Sequence, residues 1–343
     1  MAVAPGAGEP AAPAREAGWR RFLPALLLFL LVPQLGLGIL APLQETITFV
    51  APGMAVCALL GWKEGGRWSL VVIWTALAVW TVVQPISPDP TYDGIARSWV
   101  LLLAATFGLV CVLYGKGSFF PRALTATVLT LALVGGMLVI RPGALEKYGA
   151  TLRGQIEQRG AQELAKWNAM TSTPEWQEME EKSQAMIDVS AEVERQWNET
   201  PKATASVAPA LLALESLAAL ALVWGLFHRV SRVRLGPPLS ALREFRFNDQ
   251  LIWALVVGST LVVLPTLAPF RSIGVNFLVF VGVLYLVRGL GVVASFLTPQ
   301  RIALALPLAI AFLFWPKTMA VFSLGLGVGD TWFDLRRRLR PTS

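Results

Sequence analysis

Three ionisable side chains stand inside long apolar stretches of this sequence and are the first candidates for chemistry: Glu215, Arg288 and Asp330, with Asp334 just beyond the last. A charge in hydrocarbon costs several kcal/mol unless it is paired, so such residues mark either a site or a lock. By helical rise Arg288 lies about 12 Å and Asp330 about 7 Å from their shared boundary, a difference that an arginine side chain spans. The two are expected to form an ion pair, alone or shared with Asp334, whose first reading is a structural lock ahead of catalysis or transport. Glu215 falls nearer mid-membrane with no basic residue at its depth. It is the leading candidate to line a polar cavity, or it is a carboxyl bonded to a neighbouring helix.

One motif tempts. Gly327-Val328-Gly329-Asp330 fits the GxGD pattern of intramembrane aspartyl proteases, and Tyr92-Asp93 could supply the second carboxylate. That mechanism needs two carboxyl groups sharing a hydrogen bond, one as acid and one as base. Asp93 sits in the turn-rich stretch Pro88-Asp89-Pro90-Thr91-Tyr92-Asp93-Gly94, which the topology below places on the opposite face, so the protease reading is set aside. HExxH, GxSxG and Walker A patterns are absent. The single histidine, His228, lies beside Arg229 at a helix end. Cys57 and Cys111 lie in apolar runs without metal-ligand spacing and read as buried free thiols. No catalytic constellation, metal site or cofactor is expected, and the chain is not read as an enzyme.

The elements that hold these residues follow from composition. Of 343 residues, 55% are hydrophobic and 15% charged, where a soluble domain carries roughly a quarter charged. That apolar surplus fits lipid-facing helices. A spanning helix takes roughly twenty residues, and the apolar runs place spans near 22–40, 46–61, 68–84, 98–114, 123–140, 206–227, 251–270 and 273–296. The run 302–335 is too long for one span and is broken at Pro316-Lys317. It is split into 302–315 and 318–335, either two short spans or a re-entrant pair. The fold class is thus all-α: a polytopic transmembrane bundle of about ten spans with an extracytoplasmic helical hairpin.

Charge orients the bundle. With the N-terminus inside, cytoplasmic segments hold Arg15, Arg20, Arg21, Lys63, Arg67, Lys116, Arg122, the arginines of 229–246, Arg301 and those of 336–340. The short outer loops hold only Arg97, Arg271 and Lys317. Both termini inside satisfies the positive-inside bias. The net charge of +7 is explained by these loops and by lipid head groups against the arginines at 336, 337, 338 and 340; no nucleic acid is implied. Residues 1–21 read as a disordered cytoplasmic tail, whose Arg20-Arg21 before an apolar run resembles a leader but is followed at once by further spans. Spans fill 22–140 and 205–335, and 336–343 form a basic cytoplasmic tail.

The segment 141–204 differs, with 11 acidic and 8 basic residues and apolar positions at helical spacing. Leu145, Tyr148, Leu152, Ile156, Leu164 and Trp167 form one stripe, and Trp176, Met179, Met186, Val189, Val193 and Trp197 the other. Thr173-Pro174-Glu175 reads as N-cap, first-turn proline and first-turn acid. Two antiparallel amphipathic helices of about 25 residues are expected, either a stalk whose stripes satisfy each other or a docking arm. Ala51-Pro52-Gly53, Gly135-Gly136, Gly289, Gly291, Gly325, Gly327 and Gly329 are candidates for close helix approach. Pro33, Pro52, Pro265 and Pro307 are expected to kink their spans.

The words Arg229–Arg246 with Gly236-Pro237-Pro238 and Leu242-Arg243-Glu244-Phe245-Arg246-Phe247, then Asn276-Phe277-Leu278, Leu284–Leu290 and Gly327–Arg336, resemble the YybS-like family of predicted bacterial membrane proteins, a domain of unknown function. That family is distantly similar to the S components of energy-coupling-factor vitamin transporters. The resemblance implies a bacterial inner (plasma) membrane location and an S-component-like core, with a small-molecule ligand and transporter coupling subunits as possible partners. It carries over no catalytic residue. The chain has no clear Ala-x-x-x-Ala coupling motif in its first span and more spans than the six of an S component. Two functions follow: a small-molecule binding or transport protein, or an envelope scaffold whose 141–204 hairpin holds a protein partner.

Overall fold

The computed structural model describes residues 18–31, 40–43, 47–115, 117–297 and 303–339. The expectations for residues 1–17, for Pro33, Lys116 and Arg301, and for the tail beyond 339 lie outside the described residues. The described chain is all-helical: α1 Trp19–Leu31, α2 Ile47–Lys63, α3 Trp68–Val83, α4 Pro90–Leu113, α5 Phe119–Ile140, α6 Ala144–Thr171, α7 Pro174–Lys182, α8 Gln184–Ser206, α9 Ala208–Val230, α10 Ile252–Val263, α11 Arg271–Phe296, α12 Ala305–Phe314, α13 Pro316–Phe333 and α14 Leu335–Leu339.

Four of these stretches are long and apolar enough to cross a membrane: α4, α5, α9, and α11 with the turn before it (Pro265–Phe296). A fifth is gained if α12 and α13, bent by 118° at Trp315, are taken as one span. The other apolar helices are shorter than eighteen residues. The stretch 251–270 is one case. α10 stops at Val263, Pro265 and Pro269 lack the N–H that an α-helix needs, and the chain continues as 3-10 turns over Pro265–Phe270. Pro52 sits inside α2 without ending it, and Pro307 falls in the first turn of α12, where its missing N–H costs nothing.

The core gathers between α2, α4, α5 and α9, where Met54, Phe107, Val223, Trp224 and Phe227 are all but fully enclosed. α11 leans on α9 and carries α10 and α13 on its flanks. α3 packs on α2 and leaves Trp68, Trp80 and Val83 more than half exposed, a surface suited to lipid rather than water.

Between α5 and α9 the chain leaves the bundle. α6 runs out, and α8 returns along it. At the base Ile156 packs with Ala208, Leu152, Trp197 and Ala205; at the tip Trp167 meets Trp176 edge-on, ring centres 5.4 Å apart. The return is two helices, because Ser183 is extended (φ −147°, ψ 111°) between α7 and α8. Thr173 does precede Pro174 in extended backbone, but its hydroxyl donates back to the Met170 carbonyl instead of capping α7. The segment α6–α8 is called the arm below.

Candidate functional site

The described chain places its buried ionisable residues toward the two ends of the bundle. The arm end is built on α4. Asp89 caps that helix, its Oδ1 accepting from Thr91 N at 2.8 Å and Tyr92 N at 3.4 Å, with Pro90 at the first helical position. This fixes Tyr92, 2% exposed, facing the short segment 40–43. Arg159, just past the middle of α6, reaches the same place. Its guanidinium donates to Ala41 O at 2.8 Å, more weakly to Pro42 O at 3.4 Å, and to the Tyr92 hydroxyl at 2.6 Å. Tyr92 in turn donates to Pro42 O at 2.9 Å, and Arg159 lies over the Tyr92 ring.

Glu215 completes this clamp. It is the eighth residue of α9, about 10 Å from the arm end by helical rise, so it lies shallower than the sequence suggested. Its Oε2 accepts from Leu43 N at 3.2 Å. Arg159 stands within electrostatic reach, so a basic group does exist at that depth; the sequence hid it in the arm. One residue on, the Ser216 hydroxyl accepts from Trp99 Nε1 at 2.9 Å. Four segments distant in sequence thus meet around residues 41–43.

The opposite end holds the ionic residues. Arg288 Nε lies 3.0 Å from Asp330 Oδ2 across α11 and α13, both side chains nearly solvent-free. The same guanidinium reaches Asp249 at 2.7 Å, ahead of α10, and lies over the Phe247 ring. Asp334 does not share this pair. It pairs with Arg246 at the rim. The reason is a turn: Asp334 adopts left-handed backbone (φ 43°, ψ 54°), which ends α13 and folds the following residues back. Arg336 then enters the interior, 4% exposed, with Nε 3.6 Å from Asp330. It donates to the carbonyls of Arg243, Phe245 and Arg288 at 3.0, 2.9 and 2.7 Å. The assignment of Arg336 to lipid head groups is therefore corrected; Arg337 stays exposed, while the Arg338 side chain and Arg340 lie outside what is described. Three arginines face three aspartates here, so the cluster is electrically closed.

Beneath that cluster α11 and α13 touch backbone to backbone. A Cβ on Gly289 would strike the Ser323 carbonyl oxygen, and one on Gly327 would strike that of Tyr285. Gly291 meets the Leu242 carbonyl in the same manner and Gly53 the Val223 side chain of α9, whereas Gly135, Gly136 and Gly325 border open space and bring no helix close.

Sequence reasoning missed a second buried cation near this end. Arg122, 2% exposed, donates to the Leu235 carbonyl at 3.1 Å and to that of Gly115, and lies over the Trp224 ring. His228 joins it: Leu235 N donates to Nε2 at 3.1 Å, which leaves Nδ1 to donate to Trp224 O at 2.8 Å. Nε2 thus ties down the 231–237 loop, while Nδ1 bonds back within α9. The only signal in the sequence was an arginine directly after Phe119-Phe120-Pro121.

Asp93 accepts from Ile86 N at 2.7 Å and pairs with Arg97 at the arm end, while Asp330 is locked at the other end, so the two carboxylates do not meet. Among the described residues no group of three or more His, Cys, Asp or Glu could hold a metal. Chemically, both ends are arranged to fix segments: every strongly placed charge is directed at a backbone carbonyl, a backbone N–H or an opposite charge.

Residues 25–331 match the family described as "Predicted membrane protein (DUF2232)", and the chain belongs to that family. No curated protein and no solved structure matches it.

Proposed function

We propose that this DUF2232 family member is an envelope scaffold, a membrane bundle that holds the α6–α8 arm in a fixed pose so that the arm's tip grips a protein partner. The base of the arm carries this reading. Arg159 is drawn out of the arm into the bundle, where it binds two carbonyls and the Tyr92 hydroxyl beside Glu215. A passive linker between two sets of helices needs no such clamp, whereas an arm that must present a surface does. At the tip, Met170, Met179, Ile187 and Val189 are 44 to 49% exposed on an otherwise charged element, and exposed apolar groups of this kind suit a protein contact.

In this reading the chain makes ten passages through a bacterial inner membrane, with both termini inside and the arm outside. Two observations support that orientation. Arg122, Arg229, Arg234, Arg246 and Arg336 gather at the end away from the arm, the distribution the positive-inside bias favours. Lys317, in the α12–α13 turn, lies within electrostatic reach of Glu192 on the arm, so turn and arm share a face.

The alternative, an S-component-like transporter of a small molecule, has less support. Its leading polar candidate, Glu215, is bonded inside packed core and lines neither of the two pockets at the bundle's ends. The test is photo-crosslinking in whole cells from Met179 and Ile187. Scaffolding predicts the same protein adduct from both positions, and loss of that protein on co-purification with a chain that lacks 143–200 but still inserts. Absence of a protein adduct from both positions overturns the reading.

A further inference from the structure

A groove of about 430 Å³ opens between α4, α5 and the start of α6, and its chemistry is graded along its length. Arg141 ends α5 and Lys147 lies in the first turn of α6, both at the arm end; Ile95, Leu102, Val134, Met137 and Leu138 line the rest. By helical rise Val134 lies about 10 Å from Arg141, and Leu102 about 18 Å from Pro90. The groove is therefore cationic at the membrane boundary and apolar toward the membrane interior. No carboxylate lines it, and neither Arg141 nor Lys147 makes an ion pair with another described residue.

We infer that this groove binds an anionic phospholipid of the arm-side leaflet, its phosphate against Arg141 and Lys147 and an acyl chain between α4 and α5. The charge gradient selects this occupant. An apolar peptide helix would leave two cations facing nothing, and a small soluble anion would leave the apolar length unfilled. A lipid satisfies both and already has the required orientation. Two uncompensated cations at this boundary call for a counter-charge, and a phosphate is the counter-charge that lipid supplies.

The experiment uses the full chain in detergent micelles with equimolar phosphatidylglycerol and phosphatidylcholine of matched acyl chains, with bound lipid counted by native mass spectrometry. The expected result is one retained phosphatidylglycerol, preferred about tenfold, with the preference falling to parity in the double variant Arg141→Gln/Lys147→Gln, as removal of two head-group cations demands. Gly94 lines the groove and has no neighbour within 4 Å of an added Cβ, so Gly94→Leu fills the groove and should lower retention of both lipids. Both sets of changes sit at exposed positions, and an unchanged melting temperature separates lost binding from lost fold. Parity in the unmodified protein overturns the inference, as does a preference that survives the double variant or a retained adduct that is not a lipid.

Discussion

Arg159 at the arm end and Arg288 at the other solve the problem of a buried arginine in different ways. At the arm end Arg159 is satisfied by neutral acceptors, two carbonyls and a phenol, with the Glu215 carboxyl near but not in contact. At the other end Arg288 and Arg336 meet Asp330 and Asp249 directly, over a helix pair in backbone contact at Gly289 and Gly327. The first arrangement adds polar anchors where α6 packs against α4 and α9. The second reinforces two helices that already fit. The clamp can be tested by substituting Arg159 alone, whereas the α11–α13 lock combines charge pairing with packing.

That contrast is sharpest at Asp330. Replacing it by Leu leaves Arg288 and Arg336 facing each other with only the half-exposed Asp249 for compensation. Loss of one partner of a buried pair costs roughly 3–5 kcal/mol, so D330L is expected to bring the largest fall in resistance to SDS unfolding. Pairing it with Arg288→Met should recover much of the loss, since the same principle makes an apolar replacement of the whole pair nearly neutral. If the double variant is no better than D330L, the charges do more than close on one another.

The glycine contact is the next largest. Gly289→Ala places a Cβ against the Ser323 carbonyl, which cannot move without α13, and overpacking of this kind costs about 1–3 kcal/mol. Individual hydrogen bonds between membrane helices average only about 0.6 kcal/mol, so this packing contact outweighs any single neutral polar contact at this end. Gly325→Ala, whose Cβ meets open space, is the control and should be silent.

How much of this was legible in the sequence follows the same division. Arg288 and Asp330 could be placed from hydropathy alone, because both sit inside apolar runs whose boundaries are marked by charge. Arg336 could not: it follows a turn at Asp334 in left-handed backbone, and nothing local says that a residue in an arginine run will fold inward. Arg159 was hidden for a similar reason. It sits in a segment of mixed charge, and only the packing of α6 against α4 distinguishes it from its solvated neighbours Arg153 and Lys166. Gly289 and Gly327 were legible as small residues at helical spacing, but Gly135-Gly136 carries the same signal and makes no contact. Composition shows where close approach is possible; the partner helix decides where it happens.

Arg159 tests the arm end. Gln at this position keeps a donor but loses the charge and the fork geometry, and hydrogen bonds to a charged group contribute about 1.5–3 kcal/mol. R159Q is expected to cost about 2 kcal/mol, confined to the arm: faster amide exchange and earlier proteolysis within 144–206, with the α11–α13 lock unchanged. A global loss of stability would show that the clamp supports the bundle and not the arm, and would blur the contrast between the two ends.

The smallest effect lies at the tip. Glu180 on α7 accepts from Trp176 Nε1 at 2.9 Å and from the Ser190 hydroxyl of α8 at 2.5 Å, across the break at Ser183. These bonds, that from Ser190 first, hold its carboxyl below the ordinary value of 4.5. A group whose folded-state value is depressed adds stability that is complete above the ordinary value and is lost as pH falls through the folded one. The α7–α8 corner should therefore be constant from neutral pH down to about 4.5 and loosen only below it. Because the carboxylate is solvent-screened, the change is a modest rise in α7 amide exchange after correction for the intrinsic pH dependence. Glu180→Gln, which keeps an acceptor but cannot ionise, should abolish that pH response and leave the Arg159 clamp untouched. Loosening of the whole arm in parallel would mean that tip and base are one cooperative unit; a response limited to α7 and the start of α8 would leave the clamp as the arm's principal attachment.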